Sequence, residues 1–142
     1  MFRTTVIAAA MLVAAENARA NAHESSAPPP PAKDDGATMP RIAATKKGLM
    51  LLDPKGMTLY YFDRDDSGTK STCDGKCAER WIPVAAPDNA EPRGDFTVIT
   101  RSDGSKMWAY RHRPLYTSHA DHAPGAADGY DPESHWHIAR PQ

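Results

Sequence analysis

Long apolar runs, cysteine and any excess of charge are all scarce in this sequence, and each shortage excludes something. The longest uncharged apolar stretch, residues 6–15, is about half of the roughly 20 residues that a membrane-spanning helix needs. Lys and Arg number 17 against 18 Asp and Glu, so there is no basic excess for nucleic acid or an anionic membrane to meet. A Gly-rich phosphate loop, a G-x-S-x-G elbow and an H-E-x-x-H helix are all missing. No catalytic residue is therefore assigned, and a non-enzymatic protein is expected. Helical periodicity is missing too, apart from one short stretch near residues 73–81. Cysteine appears twice, as Cys73 and Cys77.

What is present divides the chain into three. Arg3, the apolar run and Ala18-Arg19-Ala20 are the parts of a secretory signal peptide over residues 1–20, cleaved after Ala20 or Ala22. No cysteine stands at that site, so no lipid anchor is expected. Residues 21–40 hold four consecutive prolines from Pro28, several charges and no aromatic residue. Such a segment buries too little apolar surface to offset the entropy of ordering, and it reads as a disordered linker. Residues 41–142 are one domain's worth of chain. Residues 21–142 carry 15 Lys and Arg against 17 Asp and Glu, a net charge of −2.

The domain is expected to be all-β and mostly antiparallel. Residues 49–52 and 57–62 flank Asp53-Pro54-Lys55-Gly56, a type I turn signal, and read as a hairpin. Residues 96–100, 106–110, 115–117 and 136–139 read as further strands, the last at an edge. Residues 73–81 are the one short helix. The strand over residues 57–62 is apolar on both faces and so should be central: Leu59 and Tyr61 face one way, Tyr60 and Phe62 the other.

Two imperfect copies are visible, at about residues 47–85 and 96–140. Leu59-Tyr60 is followed by Asp65, and Leu115-Tyr116 by Asp121, at the same offset. Trp81 stands 21 residues after Tyr60, and Trp136 stands 20 after Tyr116. A hairpin plus a loop is too small to bury its own apolar face, so the copies should pair to close one core.

At these residues the chain resembles the bacterial secreted repeats of unknown function, lipoproteins with a conserved Yx(FWY)xxD motif. The motif stands here as Tyr60-Tyr61-Phe62-Asp63-Arg64-Asp65, with Ser71, Cys73, Gly75, Cys77, Trp81 and Pro83 after it. In the second copy Tyr110, Pro114-Leu115-Tyr116, Asp121, Gly125, Gly129 and Trp136 match. Three positions depart from the pattern. Ser118 stands where an aromatic is expected, Arg111-His112 where an Asn-Gly turn is typical, and the lipidation cysteine is missing. The resemblance implies an envelope location and a small all-β domain, and it carries no assigned activity.

Several residues could carry chemistry. An even cysteine count in an exported chain points to a Cys73–Cys77 disulfide. Two thiolates at this spacing could also serve zinc together with two histidines. The aromatics Tyr60, Phe62, Trp81, Tyr116 and Trp136 read as core, with an exposed ligand surface as the alternative. Asp63, Asp65, Ser67, Gly68 and Asp74 imitate a calcium loop, although a polar turn is the simpler reading. Five histidines lie between residues 112 and 137. Of these, His119, His122, His135 and His137 could converge on copper or zinc. The function expected is a non-enzymatic periplasmic or secreted binding module for an envelope protein or a small ligand, with a copper- or zinc-binding protein as the alternative.

Overall fold

The computed structural model describes residues 38–65 and 70–142. The signal-peptide reading, and the linker reading up to residue 37, lie outside them. Met39 and Pro40, expected in the linker, belong to the packed domain: Pro40 is fully buried and Met39 packs on the core.

The described residues form nine strands and one five-residue helix. Strands β1 (Arg41–Thr45) and β2 (Gly48–Leu52) make a tight antiparallel hairpin with Thr45 opposite Gly48. β1 is missing from the strands expected above, because Arg41, Ala43 and Ala44 give it little β-propensity. The turn at residues 53–56 forms as expected, Gly56 N donating to Asp53 O at 3.0 Å. The hairpin expected around it does not form. β2 pairs with β1, and only one bridge, Leu52 to Thr58, joins it to the approach of β3 (Leu59–Phe62). Helix α1 (Lys76–Arg80) and β4 (Trp81–Pro83) complete the first copy.

In the second copy β5 (Phe96–Thr100) and β6 (Lys106–Tyr110) form a hairpin. β7 (Arg113–Pro114), β8 (Tyr116–Ser118) and β9 (Trp136–Ile138) follow. The sheets are β1-β2, β4-β8-β3-β9 and β5-β6-β7. β3 is central, as its two apolar faces require, and β9 is an edge.

The four-stranded sheet is built by exchange between the copies. Tyr60 lies opposite Tyr116, where β3 meets β8. Trp81 of the first copy pairs with Ser118, two residues past Tyr116. Trp136 of the second pairs with Phe62, two residues past Tyr60. The flanking bonds repeat the pattern. Val84 N donates to Leu115 O and Ala139 N to Leu59 O, while His119 N donates to Arg80 O and Asp63 N to His135 O. A pseudo-two-fold axis thus passes between β3 and β8, and each copy's tryptophan strand adds to the other copy's tyrosine strand. Neither copy holds a sheet of its own at this position, so the two fold as one unit.

Side chains alternate across the sheet, so two core clusters form on its faces. Leu51, Leu59, Trp108 and Leu115 lie in one, and Tyr60, Cys73, Trp81, Met107, Tyr116 and Trp136 in the other.

The β6–β7 turn is a two-residue loop with both φ values positive, +45° at Arg111 and +66° at His112. That is the φ signature of a type I′ turn, which asparagine and glycine adopt with far less strain than arginine and histidine. His112→Gly is therefore expected to raise the unfolding free energy by about 0.5–1 kcal/mol. Urea denaturation checks this, and an unchanged or lower midpoint would show that the His112 side chain itself stabilises the turn.

Candidate functional site

The Tyr-Asp spacing of the two copies is a reciprocal clasp. Tyr60 Oη donates to Asp121 Oδ2 at 2.9 Å, and Tyr116 Oη donates to Asp65 Oδ2 at 2.8 Å. Each tyrosine therefore uses the other copy's aspartate. The second oxygen of each carboxylate takes a backbone N–H downstream, Gly129 for Asp121 and Thr72 for Asp65. Burial, and next the Asp121 hydrogen bond, push the Tyr60 phenol far above its ordinary range. Burial pushes Tyr116 up as well, with Asp65 helping and Ser71 opposing. Both hydroxyls thus stay protonated and donate.

Trp81 and Trp136 meet face to face beside the clasp, with ring centroids 4.1 Å apart and planes 9° from parallel. Phe62 stacks on the far side of Trp136 at 4.5 Å. Ser118, the counterpart of Phe62, is small because Gly129 passes against it. A Cβ on Gly129 would overlap the Ser118 side chain and come within 3.3 Å of Trp81. Tyr60, Phe62, Asp65, Trp81, Tyr116, Asp121 and Trp136 are therefore all packed in the core or bonded to it.

Cys73 and Cys77 are disulfide-bonded, as expected. The bond pins the turn that leads into α1. Arg101 Nη2 ties that turn to the second copy through Cys73 O and Asp74 Oδ1, both at 2.8 Å. Of the expected calcium loop, Ser67 and Gly68 lie outside the described residues, and the carboxylates Asp63, Asp65 and Asp74 each serve a separate pair of partners. Asp63 takes His135 and His137, Asp65 takes Thr72 and Tyr116, and Asp74 takes Arg101 and Ser102.

The four histidines are not brought together, contrary to the expected convergence. β8 and β9 both run antiparallel to β3, on opposite sides of it and staggered: Tyr116 and Ile138 share the level of Tyr60. His119 therefore lies beyond the Leu59 end of β3 and His135 beyond the Phe62 end, roughly 20 Å apart at about 3.3 Å per residue. Among the described residues no three His, Cys, Asp or Glu side chains are gathered as a metal ion would need. His135 and His137 instead clamp one carboxylate, that of Asp63, at 3.0 and 3.2 Å. The His137 hydrogen bond, then that from His135, holds Asp63 below the ordinary carboxylate range.

A groove runs along the Tyr61 side of the sheet. One cavity in it, about 290 Å³, is lined by Tyr61, Tyr110, Arg111, Arg113, Leu115, Ile138 and Arg140 among others. A second cavity shares Tyr61 and Arg113 and continues to Asp63, Asp65 and His112. Arg113 stacks on Tyr61 with its guanidinium carbon 4.4 Å from the ring centroid, and His137 stacks on the same ring at 5.1 Å. The pseudo-two-fold carries this groove onto a third cavity, lined by Lys55, Met57, Ile82, Pro83, Ala85, Thr117 and His119. By the strand register Tyr61 corresponds to Thr117, His137 to Ile82 and Asp63 to His119. Counting on from these pairs, Arg113 corresponds to Met57 and Arg140 to Ala85.

The family model of the secreted repeats of unknown function matches residues 41–85 and 97–140. The chain belongs to that family. In this secreted repeat protein the two matches coincide with the two copies of the fold. The first match begins at Arg41, where β1 begins, and not near residue 47, where the sequence placed it. No curated protein and no solved structure matched the chain. Among the described residues no helix is long and apolar enough to cross a membrane.

For this secreted repeat, sequence reasoning found the motif but missed the groove. Arg113 and Arg140 stand in no recognised motif, and Tyr61 fills an unspecified position of the Yx(FWY)xxD motif. The available signal was the repeat itself: with the copies aligned, these positions differ in kind while Leu, Tyr, Asp and Trp do not.

Proposed function

We propose that the protein is a non-enzymatic binding module of the bacterial periplasm and that the Tyr61 groove is its ligand face. One observation carries this reading. Two grooves stand on equivalent backbones: where one is lined by Thr117, Ile82 and Met57, the other has Tyr61 and Arg113 in its lining and His137 stacked on Tyr61. Since the fold tolerates the plainer set, folding alone does not require the stacked, charged one. Of the motif residues, Tyr60, Tyr116, Trp81 and Trp136 are by contrast buried in the core and closed to a ligand. Binding is favoured over catalysis because the groove lining contains no serine, cysteine or lysine. Its Asp63 carboxylate is held by two imidazoles. The periplasm is favoured by the signal-like N-terminus, the secreted family and a disulfide, which persists in an oxidising compartment.

A photo-crosslinking residue introduced at Tyr61 or at Thr117, in the native envelope, separates the two grooves. Crosslinked adducts are expected from position 61 and not from 117. Adducts from 117 alone, or equal adducts from both, would overturn the choice of face.

A further inference from the structure

The basic half of the groove identifies a ligand chemistry, and this inference rests on the ligand face proposed above. We infer that the groove takes an organic oxyanion, a carboxylate or a phosphate ester with a short apolar body, gripped by Arg113 between Arg111 and Arg140.

Each of the three guanidinium groups is anchored by part of itself, and among the described residues the rest of its donors have no hydrogen-bond partner. Arg111 Nε is held by Asp95 at 3.1 Å. Arg140 Nη1 donates to Lys47 O at 2.9 Å and Leu49 O at 3.2 Å. Arg113 is held through its π-face on Tyr61, so its N–H edge stays open. Among the described residues no carboxylate ion-pairs with Arg113 or Arg140, and Asp95 offsets Arg111 alone. The nearby acidic groups face other partners, Asp63 the two histidines and Asp65 Thr72 and Tyr116. Arg113 and Arg140 thus bring to the cavity positive charge that no side-chain carboxylate offsets, on side chains already anchored, which lowers the entropic cost of gripping an anion. Guanidinium suits carboxylate and phosphate because its planar fork matches two oxygens at once. The buried Leu115 and the half-buried Ile138 line the same cavity and offer an apolar seat beside the charge.

The backbone supports the same conclusion. Arg111 and His112 hold a left-handed turn at the mouth of the groove. In the first copy the corresponding left-handed position before the Leu-Tyr strand is Gly56, φ +87°. Side chains kept where glycine would be less strained are accounted for by a task other than folding.

The test uses the secreted protein with its disulfide intact, labelled with ¹⁵N, and four probes of one chain length: hexanoate, hexyl phosphate, hexanamide and hexyltrimethylammonium. Saturable shifts at Tyr61, Arg113 and Ile138 are expected with hexanoate or hexyl phosphate, and the tighter of the two identifies the headgroup. Affinity should fall as salt is raised. Arg113→Gln should weaken it about tenfold or more, and Arg113→Lys less. Met57→Ala in the opposite groove should leave it unchanged. Equal binding by Arg113→Gln would overturn the inference. So would groove shifts with hexanamide or the cation but neither anion, although the ligand face itself would then stand. Shifts with no probe would overturn the anion, and crosslinks missing from position 61 as well would overturn both readings.

Discussion

Trp81→Ala is expected to lower the unfolding free energy by about 3–5 kcal/mol, the largest single-residue effect in the domain. Trp81 is buried, lies flat against Trp136 and meets the edge of Tyr60 at 5.1 Å. Truncation opens a cavity between the two copies beside the Trp136 ring, where pairing with β8 holds the β4 backbone in place. A domain of this size has about 5–15 kcal/mol in all, so the variant should be close to unfolding. Trp136→Ala should behave alike, because it removes the other half of the same stack. Glu79→Ala, an exposed change two residues away, should stay within about 0.5 kcal/mol of the parent. Urea denaturation followed by circular dichroism reads all three. A Trp81→Ala midpoint equal to that of Glu79→Ala would return the aromatics to a ligand surface.

Asp121→Ala should come next, at about 2–4 kcal/mol. The carboxylate is 6% exposed and accepts from both Tyr60 Oη and Gly129 N. Its removal leaves two donors without acceptors, each worth about 1–3 kcal/mol when buried. Asp65→Ala should cost less, because Asp65 is more exposed and Thr72, one of its partners, lies at the surface where water can replace the lost acceptor. The asymmetry is a property of the fold. Asp121 is buried where Gly129 closes over Ser118, and Asp65 is only half-buried.

Much of this architecture was legible in the sequence because it is local or periodic. The apolar faces of β3, the Asp-Pro-Lys-Gly turn, the short helix after Cys73 and the equal Tyr-to-Asp offsets could all be read from residue types and spacing. What could not be read was partnership. Alternation says that Tyr60 and Phe62 face the same way, but not that Trp136, more than seventy residues later, lies against Phe62. The expected β2–β3 hairpin failed for that reason: β3 finds better partners in β8 and β9, both from the second copy. The convergence of His119, His122, His135 and His137 failed through the same gap, since it depends on the stagger of β8 against β9. The groove was hidden differently. Arg113 and Tyr61 are ordinary surface residues until the pseudo-two-fold shows Met57 and Thr117 in their places.

The most direct test of the clasp is a pair of double-mutant cycles on unfolding free energy, Tyr60→Phe with Asp121→Ala and Tyr60→Phe with Asp65→Ala. A hydrogen bond to a charged group is worth about 1.5–3 kcal/mol, and residues without a shared bond add within about 0.5 kcal/mol. The reciprocal arrangement predicts coupling of that size between Tyr60 and Asp121 of the opposite copy, and near-additivity between Tyr60 and Asp65 of its own. Strong coupling within the copy and none across it would mean that each Tyr-Asp motif closes on itself, and the exchange between copies would be contradicted.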